Sequence, residues 1–257
     1  MKIIISFLLF CGIILSACQS ETPSNPPPTM LIFCGITMIK PMMEIATLIE
    51  SRENIKIIIT KGGSGNLLKS IVFNQKGDLY LPGSQRYYQT IKTDHPGLIV
   101  DQIQVGENQA AIMVQKGNPK QISSALENFT RPEYAVVIGN ASSGSIGRET
   151  QKIFTQKGIY DAVLANTMHL TTDSKDLARA LRDKKADMVI NWYAVSTWEE
   201  NKKFMDTIDI DGQYAKPKLL ILGLLKFSQH PKIARKFMAL AASKEGQAIF
   251  KKYGLCF

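Results

Sequence analysis

The chain has 257 residues, 45% of them hydrophobic, and 31 Lys and Arg against 22 Asp and Glu give it a formal net charge of +9. That length allows one large domain or two lobes of about 100 residues each. The basic residues are scattered, with little aromatic interleaving, which argues against nucleic acid as a partner and leaves a small anionic ligand compatible with the charge.

Residues 1–17 read as a secretory signal peptide. Lys2 supplies the positive start, residues 3–14 form an apolar stretch too short to span a bilayer as a finished helix, and small residues lead up to a cysteine. The tetrapeptide Leu15-Ser16-Ala17-Cys18 resembles a bacterial lipobox, which implies cleavage before Cys18 and lipid attachment to its thiol. Losing residues 1–17 removes only Lys2 and leaves +8. Residues 18–29, rich in Ser, Thr and Pro, are expected to be a lipidated flexible tether holding an exported chain to a membrane. No second long apolar run follows. Cys34 and Cys256 each sit in an apolar stretch, where they either pair in an oxidising compartment or stay as buried free thiols.

Beyond the tether, short apolar runs alternate with amphipathic segments. Strands are expected at 30–34, 55–60 and 79–81, and helices at 38–52, 64–74 and 84–92, an order that implies a mostly parallel sheet with helices on both faces. Residues 99–105 and 109–115 look like a pair of extended segments. The pattern then restarts with a helix at 122–129, a strand at 134–138 and a helix at 146–156. A strongly amphipathic helix at 173–184 carries Leu177, Ala180 and Leu181 on one face, and a strand follows at 187–192. A long apolar run at 218–226 and helices at 231–242 and 244–253 end the chain, with Pro231 suited to a first helical turn. Two α/β units joined by two extended crossings point to two lobes facing a cleft. The division expected is 30–111 and 218–257 for the first lobe and 112–217 for the second, inserted lobe.

Three strand-to-helix loops are built from Gly, Ser and Thr: Gly35-Ile36-Thr37, Lys61-Gly62-Gly63-Ser64-Gly65-Asn66, and residues 139–148, which include Ser143, Ser145, Ile146 and Arg148. Helix starts offer unpaired N–H groups and the positive end of the dipole, so they suit anions, although Ser and Thr are also ordinary helix caps. In open α/β sheets such loops gather at the carboxyl ends of the strands. Asn191-Trp192-Tyr193 ends a strand, where it either closes over a bound group or packs the core. Arg148 either neutralises an anion or stays solvated. No nucleotide-binding glycine motif, serine-hydrolase elbow or paired acid–base group is present. His95, His169 and His230 lack metal-ligand spacing, so neither catalysis nor a metal or other cofactor is expected.

Through these motifs the chain resembles the type-2 periplasmic substrate-binding proteins of ABC importers. The nearest branch resembles the molybdate-binding proteins and their relatives, which include an antigenic Campylobacter surface protein that binds phosphorylated acids. The carriers are Ile32-Phe33-Cys34-Gly35-Ile36-Thr37, Gly63-Ser64-Gly65-Asn66-Leu67, Gly77-Asp78-Leu79-Tyr80-Leu81, Gln115-Lys116-Gly117-Asn118-Pro119, Ala186-Asp187-Met188-Val189-Ile190 and the C-terminal segment 243–254. The resemblance implies a two-lobed α/β fold with a ligand cleft between lobes, a monomer, and a membrane permease as partner. It also implies an oxyanion held by hydroxyls and main-chain N–H groups. The family's donors fall on Thr37, Ser64, Ser145 or Ile146, and Ser174, with the closing tyrosine on Trp192 or Tyr193. Thr37 in place of the usual Ser, a third loop richer in hydroxyls, and Arg148 nearby keep phosphate or a phosphorylated or carboxylated metabolite open as cargo. A surface antigen or adhesin that keeps the fold without transport is a further alternative.

Overall fold

A computed structural model describes residues 27–255. The signal peptide, Cys18, most of the tether and Cys256 lie outside that span. The first sheet contains β1 (Thr29–Gly35), β2 (Lys56–Gly62), β3 (Leu79–Leu81), β4 (Ile99–Asn108) and β10 (Lys218–Leu225) in the order β2-β1-β3-β10-β4. The second contains β5 (Ala110–Gln115), β6 (Val136–Gly139), β7 (Thr167–Thr171), β8 (Met188–Trp192) and β9 (Met205–Asp209) in the order β7-β6-β8-β5-β9. The two orders are the same pattern. In each sheet the strand arriving from the other lobe, β10 or β5, runs antiparallel to both its neighbours, while β1 and β6 pair in parallel on both sides. Ala110 and Ala111 pair with Trp192 and Asn191, so the outward crossing is completed at Gln109.

Burial explains which segments became central strands. β6 and β8 are buried at every position and β1 at all but two, as expected of parallel strands covered on both faces. Helices α1 (Ile39–Glu53), α8 (Pro231–Ala242) and α9 (Lys244–Lys252) cover one face of the first sheet through Met42, Ile45, Phe237 and Phe250. Helices α2 (Ser64–Asn74) and α3 (Arg86–Asp94) cover the other through Leu67, Ile71, Tyr87 and Ile91. In the second lobe α4 (Ser145–Lys157) contributes Ile153 and Phe154, and α6 (Ser174–Arg182) buries Leu177, Ala180 and Leu181 as its periodicity predicts. Cys34 is fully buried in the first-lobe core, which pushes its thiol well above the usual range and leaves it unreactive.

The lobes are closed on each other. Ile36 and Ile39 from the first lobe pack into the second lobe's core. Lys40 on α1 pairs with Glu200 on α7 (Glu199–Lys202) at 2.7 Å. Where β10 re-enters the first sheet, Lys218 meets Glu149 of α4 at 3.1 Å, with side chains 7% and 1% exposed. An ion pair so buried contributes little net stability, but removing one partner strands a charge.

Some elements differ from the sequence reading. Residues 122–129 do not form an α-helix; a short 3-10 segment, Leu126–Thr130, stands there instead. Ile122, Leu126 and Phe129 are all buried at helix-like spacing. The backbone is drawn into local bonds, however, with Ile122 N–H donated to Asn118 Oδ1 and Asn128 Nδ2 to Ser123 O. Helix α5 (Tyr160–Asn166) and strands β7 and β9 have no counterpart in the sequence reading.

Candidate ligand-binding site

The carboxyl ends of β1, β2, β3, β6 and β7 converge between the lobes. There a small cavity of about 10 Å³, as traced by the centre of a water molecule, is lined from both sides. The first lobe supplies Gly35, Ile36, Thr37, Gly62, Gly63, Ser64 and Gly83; the second supplies Gly144, Ser145, Ile146, Asp173 and Ser174. Among the described residues, no Lys, Arg or His lines it. Ser64, Ser145 and Ser174 are the first residues of α2, α4 and α6, and their N–H groups have no intrahelical acceptor. The 3-10 turn Ile36–Met38, which carries Thr37, leads into α1.

The hydroxyls are held with a definite polarity. Ser64 Oγ accepts the Gly83 N–H at 3.0 Å, and Ser145 Oγ accepts the Trp192 Nε1–H at 3.1 Å. Each oxygen already has a donor on it, so each hydroxyl proton is free to be donated onward. Thr37 Oγ1 and Ser174 Oγ lie 3.3 Å apart, bonded across the cleft to each other. Thr37, Ser64, Ser145 and Ser174 are each at least nine-tenths buried.

Behind the second wall stands a buried polar scaffold. Asn191, fully buried, donates from Nδ2 to Ser174 O at 2.9 Å and accepts the Trp192 N–H on Oδ1 at 2.9 Å. Asp173 caps α6, its Oδ1 accepting the N–H groups of Lys175 and Asp176. Ser143 is committed within its own lobe through its hydroxyl, which donates to Thr172 O at 3.0 Å. Its carbonyl instead crosses the cleft, accepting the N–H groups of Gly65 and Asn66 at 2.9 and 3.2 Å. Two of the orphan donors at the start of α2 are therefore used to close the lobes.

Of the nine candidate binding residues, the structure gathers Thr37, Ser64, Ser145, Ile146 and Ser174 around one cavity. Trp192, 1% exposed, supports Ser145 from behind, and Ser143 stands at the lobe contact. Arg148 lies outside the cavity, stacked 4.3 Å over the Tyr87 ring with Nη1 donating to Thr90 Oγ1 at 3.2 Å. Tyr193 is half-buried, donates its N–H to Gln109 O, and is not in the lining. Sequence reasoning missed Gly83 and Asp173. Gly83 follows a three-residue strand too short to flag its loop, whereas the Asp173-Ser174 cap was readable.

Two like sheets, two crossings and a donor-lined cavity between the lobes define a two-lobed binding protein. The chain belongs to the bacterial extracellular solute-binding protein family, which matches residues 30–255. A Bacillus subtilis (strain 168) protein named as an ABC transporter substrate-binding lipoprotein, YvgL, is 24% identical over 251 residues, covering 97% of this chain and 94% of that one. The periplasmic molybdate-binding protein of Azotobacter vinelandii has a similar fold, with a TM-score of 0.76, 12% identity, and coverage of 89% of this chain and 99% of that one. PEB3, from Campylobacter jejuni, is similar in its L-phospholactate-bound form, with a TM-score of 0.70, 18% identity and the same coverage. The chain is thus an extracytoplasmic solute receptor and not an enzyme.

Proposed function

We propose that this receptor captures a small, fully ionised tetrahedral oxyanion of the molybdate or tungstate kind and delivers it to the membrane permease of an ABC importer. We further infer that lipid on Cys18 tethers it beside that permease. One observation carries the ligand reading: hydroxyls and helix starts from both lobes converge on a cavity that, among the described residues, no cationic side chain lines. Donors of fixed polarity and helix dipoles stabilise an anion without an ion pair. The names of the Bacillus and Azotobacter relatives support transport and molybdate respectively. The Bacillus relative's description as a lipoprotein supports the anchor.

A second reading has its own observation. Asp173, a carboxylate, is in the lining, and a carboxylate can accept a proton from a partly protonated ligand such as hydrogen phosphate or a phosphorylated acid. Titration calorimetry with molybdate, tungstate, sulfate, phosphate and phosphoglycerate separates the two. Molybdate and tungstate are expected to bind most tightly. Ser64→Ala should lower their affinity about tenfold or more, the usual scale for a hydrogen bond to a charged group. Tighter binding of phosphate would favour the second reading, and no binding of any anion would end both. When the full chain is expressed in bacteria, Cys18→Ser should move it out of the membrane fraction; a wild-type distribution would exclude the lipid anchor.

A further inference from the structure

A second opening lies on the outer side of the contact between Gly65 and Ser143. It is a cleft of about 470 Å³, within the roughly 300–1,000 Å³ typical of small-molecule sites. Helices α2 and α3 form one wall, with Leu68, Val72 and Phe73 as its apolar part; Ser142 and Arg148 of the second lobe form the other. Phe73 is 87% exposed, an unusual position for a large aromatic side chain.

Arg148 is the group that asks for a ligand. It is half-buried, and among the described residues it pairs with no carboxylate; its partners are the Tyr87 ring and Thr90. Stacking over Tyr87 occupies a face of the guanidinium and the Thr90 bond uses one N–H, so further edge donors remain. That edge matches a carboxylate in the bidentate manner. Lys69 and His95 also line the cleft, and among the described residues no acidic one does.

We propose that this outer cleft binds a small organic carboxylate with an apolar or aromatic body, the carboxylate on Arg148 and the body over Leu68, Val72 and Phe73. The occupant touches both lobes, so it favours the closed form. By linkage, an anion in the inner cavity then raises the affinity of the outer site, and the reverse. The outer site stands on its own residues, whichever anion the inner cavity takes.

The test is a titration of the whole mature protein with phenylacetate and acetate, followed by amide NMR. Phenylacetate should shift resonances of α2, α3 and α4 and bind at least about fivefold tighter than acetate, reflecting its buried ring. Arg148→Gln should weaken it about tenfold or more, and Phe73→Ser about threefold. Run without molybdate or any other inner-site anion, the titration reports on the outer cleft alone, which separates failure of this site from failure of the inner one. The proposal is overturned if acetate matches phenylacetate, if both outer variants bind like wild type, or if no resonance in these helices moves by about 20 mM, an affinity too weak for a specific site. Should Arg148→Gln fail to fold, Phe73→Ser, on an exposed side chain, still decides.

Discussion

The first lobe brings Thr37 and Ser64 to the cavity on a wall of glycines, whereas the second brings Ser145 and Ser174 on a wall of buried hydrogen bonds. The glycine wall works by close approach. Ideal Cβ atoms at Gly63 and Gly65 would meet second-lobe carbonyls at 2.4 and 2.6 Å, and one at Gly83 would meet Ser145 Oγ at 2.3 Å. The second wall works by preorganisation, with Asn191, Trp192 and Asp173 fixing where the donors stand before any ligand arrives. The contrast teaches a division of labour: one lobe sets how far the cleft can shut, and the other sets which way its donors point.

The largest expected effect breaks the glycine wall. In Gly63→Ala the new methyl would sit 2.4 Å from Ser143 O and 2.7 Å from Thr172 O, both backbone atoms that cannot swing aside. Gly63 has φ −67°, ordinary for alanine, so the first lobe itself should fold unchanged. The expectation is an anion affinity at least about 100-fold lower, equivalent to about 2.7 kcal/mol, with little change in the melting temperature of the unliganded protein. Small-angle scattering should show that saturating anion no longer compacts the variant. Wild-type affinity with normal compaction would mean that the glycine contact does not control closure.

A smaller effect is expected from the second wall. Trp192→Phe keeps most of the ring volume and removes the N–H that fixes Ser145 Oγ. The Ser145 hydroxyl would then be free to rotate. An affinity loss of about tenfold and a stability loss of about 1 kcal/mol are expected, the net worth of one buried hydrogen bond. Calorimetry and chemical denaturation check the two separately. An affinity loss as large as that of Gly63→Ala would blur the contrast between the walls.

Legibility in the sequence followed the same physics. The central strands β1, β6 and β8 were readable because burial on both faces demands continuous apolar runs. β7 and β9 escaped because both are edge strands: Met168 and Leu170 of β7 are exposed, and β9 carries Asp206, Thr207 and Asp209 with only Met205 fully buried. Residues 122–129 misled because three buried side chains at helical spacing outweighed the Asn and Ser side chains that redirect the backbone. At the site, the hydroxyls were legible through their place at strand-to-helix junctions. What they do was not. That Ser143 offers its carbonyl to the opposite lobe and Trp192 its N–H to Ser145 depends on contacts 78 and 47 residues apart in the chain, between Gly65 and Ser143 and between Ser145 and Trp192. Arg148 shows the limit from the other side: its position near the third loop was evident, yet the cation–π contact with Tyr87 holds it in a different cleft.

The smallest expected effect falls on Asp173, the one ionisable side chain among the described residues that line the cavity. Asp173→Asn preserves the cap on α6, since Asn serves as well as Asp in that position, so stability should change by less than about 0.5 kcal/mol. The substitution therefore isolates charge from structure. A fully ionised oxyanion is repelled by the Asp173 carboxylate, and removing that charge should raise its affinity by about two- to threefold, the modest scale of a partly screened charge at the half-buried edge of the site. A ligand that keeps a proton behaves oppositely, because the carboxylate accepts that proton and the amide oxygen accepts it less well. Measured by calorimetry with molybdate and with phosphate, the sign of the change identifies which chemistry the second wall is built to hold. A loss of affinity for molybdate would show Asp173 to be a supporting residue of the preorganised wall, with no discriminating role between the two ligands.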